Sequence, residues 1–452
     1  MYEEESTSAL VQQVLTGLGI KYTAGWGRDR RSSLVDDSLL EPSTERGDAR
    51  ELQQLQEQQQ QQQRRQELNT GLVGTGIVAE IGTGEAPCVL LRADMDALPI
   101  HEQADVAFKS EVEGKMHACG HDSHTTMLLM AAAILKKNEG SIKGTVRLVF
   151  QPAEEGGQGA KMMLEEDLTF ICRVTTVLPG FMPACGFIYA PSVHPSTLIA
   201  YRAACLWRAM PLECLRSFHF EVVGAGGHGA MPSQAHDPIT ACASAVQNIN
   251  SFVARENDYT AVSSGFVSVT QIQAGSAFNV IPSECTLKGT IRAFSNKKLR
   301  ELQLRLRQVV QRTAEAFRCS LRVRRLDTIT PALRVNPEAL EVFKKAAYAV
   351  LPGGRVETME PTYGGEDFSF VLDRLPGVFA FIGVGSGAQK AGHVPTSFGL
   401  HHPKFAIDEE ALHLGAAVEA QFVFDAVNHL LNRQIEQEQL LQQEEPKHED
   451  EL

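Results

Sequence analysis

Two short motifs carry side chains that can bind a metal ion. The first, His-Ala-Cys-Gly-His-Asp, offers the thiol of Cys119 and the imidazole of His121. The second, Gln-Pro-Ala-Glu-Glu-Gly-Gly, offers the adjacent carboxylates of Glu154 and Glu155. Zinc, manganese and cobalt accept mixtures of sulfur, nitrogen and oxygen ligands. The two motifs together therefore predict a site for a divalent metal.

The adjacent carboxylates favour hydrolytic chemistry at such a site. Like charges this close repel each other, and a cation beside them relieves the repulsion. One of Glu154 and Glu155 can then ligate the metal while the other takes a proton from a metal-activated water. The alternatives are a solvated acidic turn, and a Cys119 nucleophile with His121 as its base. The nucleophile reading leaves both carboxylates without a task.

Further candidate residues stand near these motifs or in other polar loops. Asp94 and Asp96 follow an apolar strand and share one face of an extended chain. They are interpreted either as groups that orient the metal ligands or as caps of a turn. His401 and His402 precede the last predicted helix, and either can ligate. His228 lies among four glycines, where it can polarise a carbonyl oxygen or belong to a flexible turn.

The elements that must position these side chains follow an α/β pattern. Apolar runs at 76–81, 88–93 and 144–151 predict buried strands, and the acidic motifs come directly after two of them. An apolar helix is predicted over 125–137, packed behind the sheet. Alternating strands and helices of this kind indicate an α/β domain with its chemistry on loops at the strand ends.

The second half of the chain predicts a separate, smaller α+β layer. Its strands and helices fall within 218–332, and a long helix is predicted over 408–431. The predicted organisation is a discontinuous catalytic domain, a Gln-rich disordered insertion, an inserted lid and an acidic tail. In residue numbers these are 1–26, 71–217 and 333–432 for the catalytic domain, 27–70 for the insertion, 218–332 for the lid and 433–452 for the tail.

Composition limits the kind of partner. The 452 residues carry a net charge of −13, which disfavours nucleic acid and anionic membranes. No apolar run reaches the ~18 residues needed to span a bilayer. The nine cysteines show no Cys-x-x-Cys spacing, so reduced thiols are expected. These features predict a cytoplasmic protein whose partner is neither nucleic acid nor an anionic membrane.

The ordered set of motifs resembles the M20 metallopeptidases. It is most similar to their amidohydrolase branch, the indole-acetyl-amino-acid hydrolases, hippurate hydrolases and N-acyl-amino-acid deacylases. The similarity covers most of 71–166 and 218–430, with a short piece at 3–22. The matching motifs, in chain order, are 92–99, 117–122, 151–157, 226–230, 277–282, 365–368 and 401–405.

The resemblance implies a fold and a metal centre. The fold would be a zinc-peptidase-like α/β catalytic domain with an inserted α+β lid that often dimerises. Two divalent ions, manganese, zinc or cobalt, would be held by Cys119, His121, Glu155 and His401. Glu154 would be the general base. Asp94, His194 and His402 remain alternate ligands, and Asp96 a further catalytic candidate.

The resemblance also implies a substrate and the residues that contact it. The chain would hydrolyse the amide bond of N-acyl amino acids. His228 would stabilise the oxyanion from the lid, possibly in the active site of a partner subunit. Asn279 would contact the carboxylate of the substrate, and Glu366 and Arg292 are further substrate-binding candidates. A dipeptidase or carboxypeptidase of the wider family is the alternative.

One segment departs from the family pattern, and the end of the chain resembles a targeting signal. The family places another histidine ligand where this chain has 174–181, which contains none, and His194 is the next histidine along the chain. The corresponding alternative is a binding protein that lacks one metal ligand. The last residues, His-Glu-Asp-Glu-Leu at 448–452, resemble an endoplasmic-reticulum retrieval signal, which makes that compartment a second expectation.

Overall fold

A computed structural model gives the fold of most of the chain. It describes residues 3–27, 74–166, 184–190, 206–209, 214–257, 264–351, 355–358, 364–384, 396 and 398–444. The predictions for 28–70, for 174–181, for His194 and for 448–452 lie outside the described residues.

The chain divides into two compact units. The first comprises Met1–Cys205, Lys344–Gly354 and Ile382–Leu452, and the second comprises Leu206–Phe343 and Arg355–Phe381. The predicted limits of the lid, 218 and 332, stay a prediction. No described helix combines the length and the apolar character needed to cross a membrane.

The first unit contains a mixed sheet. Its strands are β1 (Lys21–Trp26), β2 (Gly76–Gly82), β3 (Cys88–Asp94), β4 (Thr145–Gln151) and β5 (Ala184–Ala190), in the spatial order β1-β2-β4-β3-β5. β3 runs parallel to both β4 and β5, whereas β2 is antiparallel to its neighbours β1 and β4. All seven residues of β3 are buried. A strand buried on both faces needs a nearly continuous apolar run, which is what the sequence supplies.

Helices complete this unit. They are α1 (Glu5–Gly17), α2 (His121–Lys137), the single distorted turn α3 (Glu154–Gly157), α4 (Gly159–Glu165) and α9 (Leu412–Glu444). α2 packs against α9 so closely that a side chain at Gly415 would overlap Met127. The glycine therefore sets the approach of the helix that carries His121.

The second unit contains a four-stranded antiparallel sheet covered by two helices. Its strands β7 (Cys214–Val223), β9 (Gly265–Ala274), β11 (Glu284–Ala293) and β12 (Ser320–Thr330) lie in the order β12-β7-β11-β9. The helices α5 (Pro238–Glu256) and α6 (Asn296–Ala316) bury their apolar faces on it. Asp237 and Ser295 cap them by accepting from backbone N–H groups in the first turn.

Shorter elements make up the remainder. They are β6 (Leu206–Ala209), β8 (Gly227–His228), β10 (Val280–Ile281), α7 (Pro337–Val350), β13 (Arg355–Thr358), α8 (Ser369–Leu372) and β14 (Gly377–Gly383). β6 pairs in parallel with β13, and β8 pairs with β10.

The structure confirms the α/β class and corrects several details. α2 begins at His121, earlier than predicted, because Gly120 takes a left-handed conformation that turns the chain into the helix. α9 continues past 431 to Glu444, since glutamine, glutamate and leucine propagate a helix well. Cys88 is disulfide-bonded, so the expectation of reduced thiols is wrong there.

Candidate metal centre

The parallel pairing of β3 and β4 brings the two acidic motifs to one edge of the sheet. Asp94 ends β3 and is in register with Gln151, which ends β4. The backbone N–H of Met95 donates to the carbonyl of Gln151 at 2.8 Å, so the chains leave the sheet side by side. Asp96 therefore emerges next to the loop that carries Glu155.

That loop has an unusual backbone. Ala153 and Gln158 have φ values of 54° and 60°, in the left-handed region, and Gly156 has a φ of 109°. A residue other than glycine held in this region costs about 1–3 kcal/mol, and such strain is concentrated at functional sites. The strained turn presents Glu154 and Glu155 beyond the end of β4.

Asp96 connects the two predicted ligands His121 and Glu155. Its Oδ1 lies 3.1 Å from His121 Nδ1, and its backbone carbonyl lies 2.9 Å from the same nitrogen. Its Oδ2 accepts from the backbone N–H of Glu155 at 3.0 Å. Two acceptors at Nδ1 require that nitrogen to carry the proton, so Nε2 keeps the lone pair that can bind a metal.

Asp94 lies at the centre of a second, fully buried network. It accepts from Arg92 Nη1 at 2.7 Å and lies 2.5 Å from His124 Nδ1. Arg92 Nε in turn donates to Gln151 Oε1 at 2.8 Å, and Thr125 donates to the Asp94 carbonyl at 3.0 Å. Because an unpaired buried charge is costly, these bonds fix Asp94 beneath the loops that carry the candidate ligands.

The predicted ligands converge in two groups that share Glu155. Ligand atoms of Cys119, Glu155 and His401 lie within 4.8 Å of one another, and so do those of His121, Glu154 and Glu155. His401 Nε2 is 3.1 Å from Glu155 Oε1, and His121 Nε2 is 4.0 Å from the same oxygen. Glu155 thus stands between two imidazoles, each of which turns Nε2 toward it.

The chemistry of this donor set fits divalent metals. A thiol, two imidazoles and two carboxylates suit zinc, cobalt or manganese, and the shared Glu155 allows two ions to be neighbours. A third group, Asp94, His121 and His124, also lies within 4.8 Å but is fully buried. There Arg92 already neutralises Asp94, which makes this group a poor cation site.

The local electrostatics also favour a cation. Burial opposes protonation of His121, but the charge of Asp94 and the hydrogen bond that His121 donates to Asp96 outweigh it and raise the pKa of His121. The hydrogen bond to Glu155 raises the pKa of His401 in the same way. Burial raises the pKa of the Cys119 thiol to about 11. The carboxylates therefore create a negative potential, and a bound cation would favour the thiolate.

His401 rather than its neighbour His402 faces the centre. The His401 N–H donates to the carbonyl of Ala118 at 2.8 Å, and its φ of 63° is left-handed. His402 instead stacks on Phe398, with ring centroids 4.5 Å apart, and its Nδ1 accepts from Lys404 N–H. Among the described residues, His402 belongs to none of the ligand groups.

The remaining candidates, His228, Asn279, Arg292 and Glu366, belong to the second unit. His228 lies in β8 opposite Val280, and Gly229 N–H donates to the Asn279 carbonyl at 2.9 Å. Glu366 is buried and accepts from Phe368 N–H at 2.8 Å. Arg292 lies in β11. Of the four candidates, His228 and Asn279 are neighbours, because β8 pairs with β10 and the Gly229 N–H donates to the Asn279 carbonyl.

Two residues of the site were missed by sequence reasoning. His124 and Arg92 both bond to Asp94 and are buried. The helical spacing of His121 and His124 places them on neighbouring positions of α2, and their rings stack with centroids 5.5 Å apart. That i, i+3 spacing was the available signal for His124.

Comparison with known proteins gives a family match. The profile of peptidase family M20/M25/M40 matches residues 90–425. IAA-amino acid hydrolase ILR1-like 4 of Arabidopsis thaliana is 39% identical over 349 residues, which are 76% of this chain and 74% of that protein. N-acetylcysteine deacetylase of Bacillus subtilis is 32% identical over 339 residues, 75% of this chain and 81% of that protein. Thermostable carboxypeptidase 2 of Saccharolobus solfataricus is 36% identical over 349 residues, which are 76% of this chain and 82% of that protein.

A solved structure shows the same fold. A dinuclear metal binding peptidase of the M20 family from Bacillus subtilis superposes with a TM-score of 0.67 at 24% identity, covering 94% of this chain and 93% of that one.

Proposed function

The chain belongs to peptidase family M20/M25/M40, and from that membership we propose that it hydrolyses the amide bond of N-acyl amino acids. The observation that carries the proposal is the pair of ligand groups sharing Glu155, with a second carboxylate, Glu154, beside them. Relatives whose names specify IAA-amino acid hydrolysis and N-acetylcysteine deacetylation support this substrate class. The acyl group would be of the aryl-acyl or indole-acyl type.

Two divalent ions, manganese, zinc or cobalt, would be held by Cys119, His121, Glu155 and His401. When bound, such ions polarise the substrate carbonyl and acidify water. The donor set supports this assignment, since each of the two groups contains an imidazole and shares the Glu155 carboxylate. Asp96 would orient His121 and the Glu155 loop through its two carboxylate oxygens.

Glu154 would act as the general base and then as the general acid. Its carboxylate lies within 4.8 Å of ligand atoms of Glu155 and His121, and it stands in the strained turn after β4. In the proposed reaction Glu154 removes a proton from the attacking water and delivers it to the nitrogen of the leaving amine. The products are a carboxylic acid and a free amino acid, and Glu154 returns to its ionised form.

The lid residues would recognise the substrate. His228 Nδ1 accepts from Ala230 N–H at 3.1 Å, so the neutral ring carries its proton on Nε2 and can donate to an oxyanion. Asn279, next to it, would bind the substrate carboxylate, with Arg292 and Glu366 as further candidates. We place His228, Asn279 and Arg292 in a lid formed by 218–332, whereas Glu366 would come from the catalytic segment 333–432.

We further propose that the protein is a homodimer through this lid, with His228 serving the site of the partner. β9 is an edge strand of its sheet and pairs with β11 alone among the described strands. Three large apolar side chains near it, Ile272, Phe278 and Val280, are more than half exposed. An exposed apolar strand edge is a surface that a second copy can cover.

A substrate panel tests the proposed function. The metal-loaded protein is offered N-acetyl and indole-3-acetyl amino acids beside dipeptides, and release of free amino acid is measured, with chelator-treated protein as the control. We expect the acyl amino acids to be cleaved and chelation to abolish cleavage. The carboxypeptidase relative makes peptide cleavage the second candidate, and preferential cleavage of the dipeptides would replace the proposal.

A further inference from the structure

A cleft separates the outer faces of α5 and α6 in the second unit. It has a volume of about 400 Å³. Small-molecule sites commonly occupy about 300–1,000 Å³. Its floor is apolar, because Phe252 is buried there and Val309 lies beside it. The cleft lies wholly within residues 248–313, so it is separate from the metal ligands.

Two polar contacts between the helices define the ends of the cleft. At one end Arg305 donates two parallel hydrogen bonds to Glu256, both 2.6 Å long. At the other end Asn248 Nδ2 donates to Thr313 Oγ1 at 3.0 Å. Because these contacts join the two helices, the space between them has a fixed width.

Unused hydrogen-bond donors line the rim between those ends. Of the described residues, none forms an ion pair with Arg255. Arg312 uses only Nη1 on Glu315, at 2.8 Å, which leaves further guanidinium N–H groups toward solvent. In a chain with a net charge of −13, this rim is a local cationic site above an apolar floor. Guanidinium groups bind carboxylates in a bidentate manner, which favours this class of anion.

We propose that the cleft binds a small organic carboxylate that carries an apolar group. The carboxylate lies between Arg255 and Arg312, and the apolar group packs on Phe252 and Val309. The acid released by an amidohydrolase and its acyl amino acid substrate both have this chemistry. The cleft itself does not depend on the proposed function, because it contains no residue of the metal centre.

Binding to the full chain tests the proposal after the metals are removed by chelation, so that the metal centre cannot hold the carboxylate. The probes are indole-3-acetate, its neutral analogue indole-3-acetamide and inorganic phosphate, measured by calorimetry. The double variant Arg255→Gln/Arg312→Gln is compared with Arg307→Gln, an exposed cation of α6 outside the cleft. Thermal melts establish that each variant is folded.

We expect indole-3-acetate to bind, the amide to bind at least 10-fold more weakly, and the double variant to lose at least 10-fold in affinity while Arg307→Gln does not. Equal affinity in the double variant would overturn the site. Equal affinity for phosphate and indole-3-acetate would show adventitious anion binding only. If indole-3-acetate did not bind at all, the proposal would also be overturned. The proposed hydrolysis does not require the cleft, so the metal-loaded double variant should still release amino acid. This measurement tells a failure of the cleft proposal apart from a failure of the proposed function.

Discussion

The carboxylate of Asp96 lies 3.1 Å from Nδ1 of His121 and accepts from the backbone N–H of Glu155 at 3.0 Å. One buried side chain thus orients two proposed metal ligands that come from different elements. Because the carbonyl of Asp96 also faces His121 Nδ1, the ring cannot turn without losing two acceptors. The ligand geometry is therefore set before any metal binds.

Asp96→Ala should weaken metal binding about 10–100-fold, the usual effect of removing a group that orients a metal ligand. Titration of the chelated protein with cobalt, followed by its visible absorption, measures the affinity directly. Asp105→Asn, which alters an exposed acidic residue, is the matched control. Unchanged cobalt affinity in Asp96→Ala would contradict the proposal that Asp96 orients the metal ligands.

Glu154→Gln should retain both metals and lose about 10²–10⁴-fold in turnover, the range for a general acid–base residue. The amide keeps the size of the side chain but cannot take a proton. Metal content and amino acid release are measured on the same sample. Full activity in this variant, or loss of the metals, would refute the assigned role.

His401→Ala should reduce the bound metal, whereas His402→Ala should not. The two histidines are adjacent, but only His401 approaches Glu155, and His402 stacks on Phe398. Elemental analysis after dialysis gives the metal content of both variants. If His402→Ala lost metal instead, the ligand would be His402 and not His401.

A mixing experiment tests the trans role of His228. Glu154→Gln and His228→Ala should each be nearly inactive alone. In a mixed dimer, one of the two sites has both an intact Glu154 and an intact His228 from the other chain. About half of the dimers are mixed after the subunits exchange, so about a quarter of the wild-type activity should return. No recovery, despite demonstrated exchange, would mean that His228 serves its own chain or none.

Glu419 predicts a pH-dependent stability. It is buried in α9, its Oε2 has no hydrogen-bond partner among the described residues, and burial raises its pKa well above 4.5. The folded state favours the protonated form, so the stabilisation is present below the unfolded pKa and is lost as pH rises toward the folded pKa. Ionisation in the folded state then costs free energy.

Glu419→Gln should therefore unfold at a similar denaturant concentration to the wild type near pH 4.5 and be more stable at pH 7.5, by about 1–3 kcal/mol for relief of an unpaired buried group. Urea unfolding at the two pH values measures the difference. Glu436→Gln, on the exposed part of the same helix, is the control. The same stability difference at both pH values would count against a protonated Glu419.

Much of the fold could be predicted because the signals are local, and the structure brings Cys119, Glu155 and His401 together as expected of ligands. The apolar runs that became β3 and β4 are each interrupted by one arginine, Arg92 and Arg147, and the acidic motifs stand at or just beyond their ends. The network around Asp94 could not be predicted, because it depends on the parallel register of Asp94 with Gln151. The family resemblance implied His401, but the residues alone left His401 and His402 open, because the choice depends on the left-handed backbone at His401.

The ends of the helices were also beyond local reasoning. α2 starts at His121 because Gly120 reverses the chain, which places a predicted loop ligand in the first turn of a helix. α9 runs to Glu444 because no glycine or proline interrupts its Gln- and Glu-rich sequence before Pro446. Composition indicated a solvated tail, but helix propensity extended the helix.

We propose a metal-dependent hydrolase in which two ions are held around Glu155. The most direct measurement removes all metal with a chelator, adds manganese in steps, and follows bound metal and amino acid release together on an N-acyl amino acid. We predict that activity returns as the content approaches two ions per chain. Saturation at one ion or none, with no release of amino acid, would contradict the account and favour a binding protein that lacks one ligand.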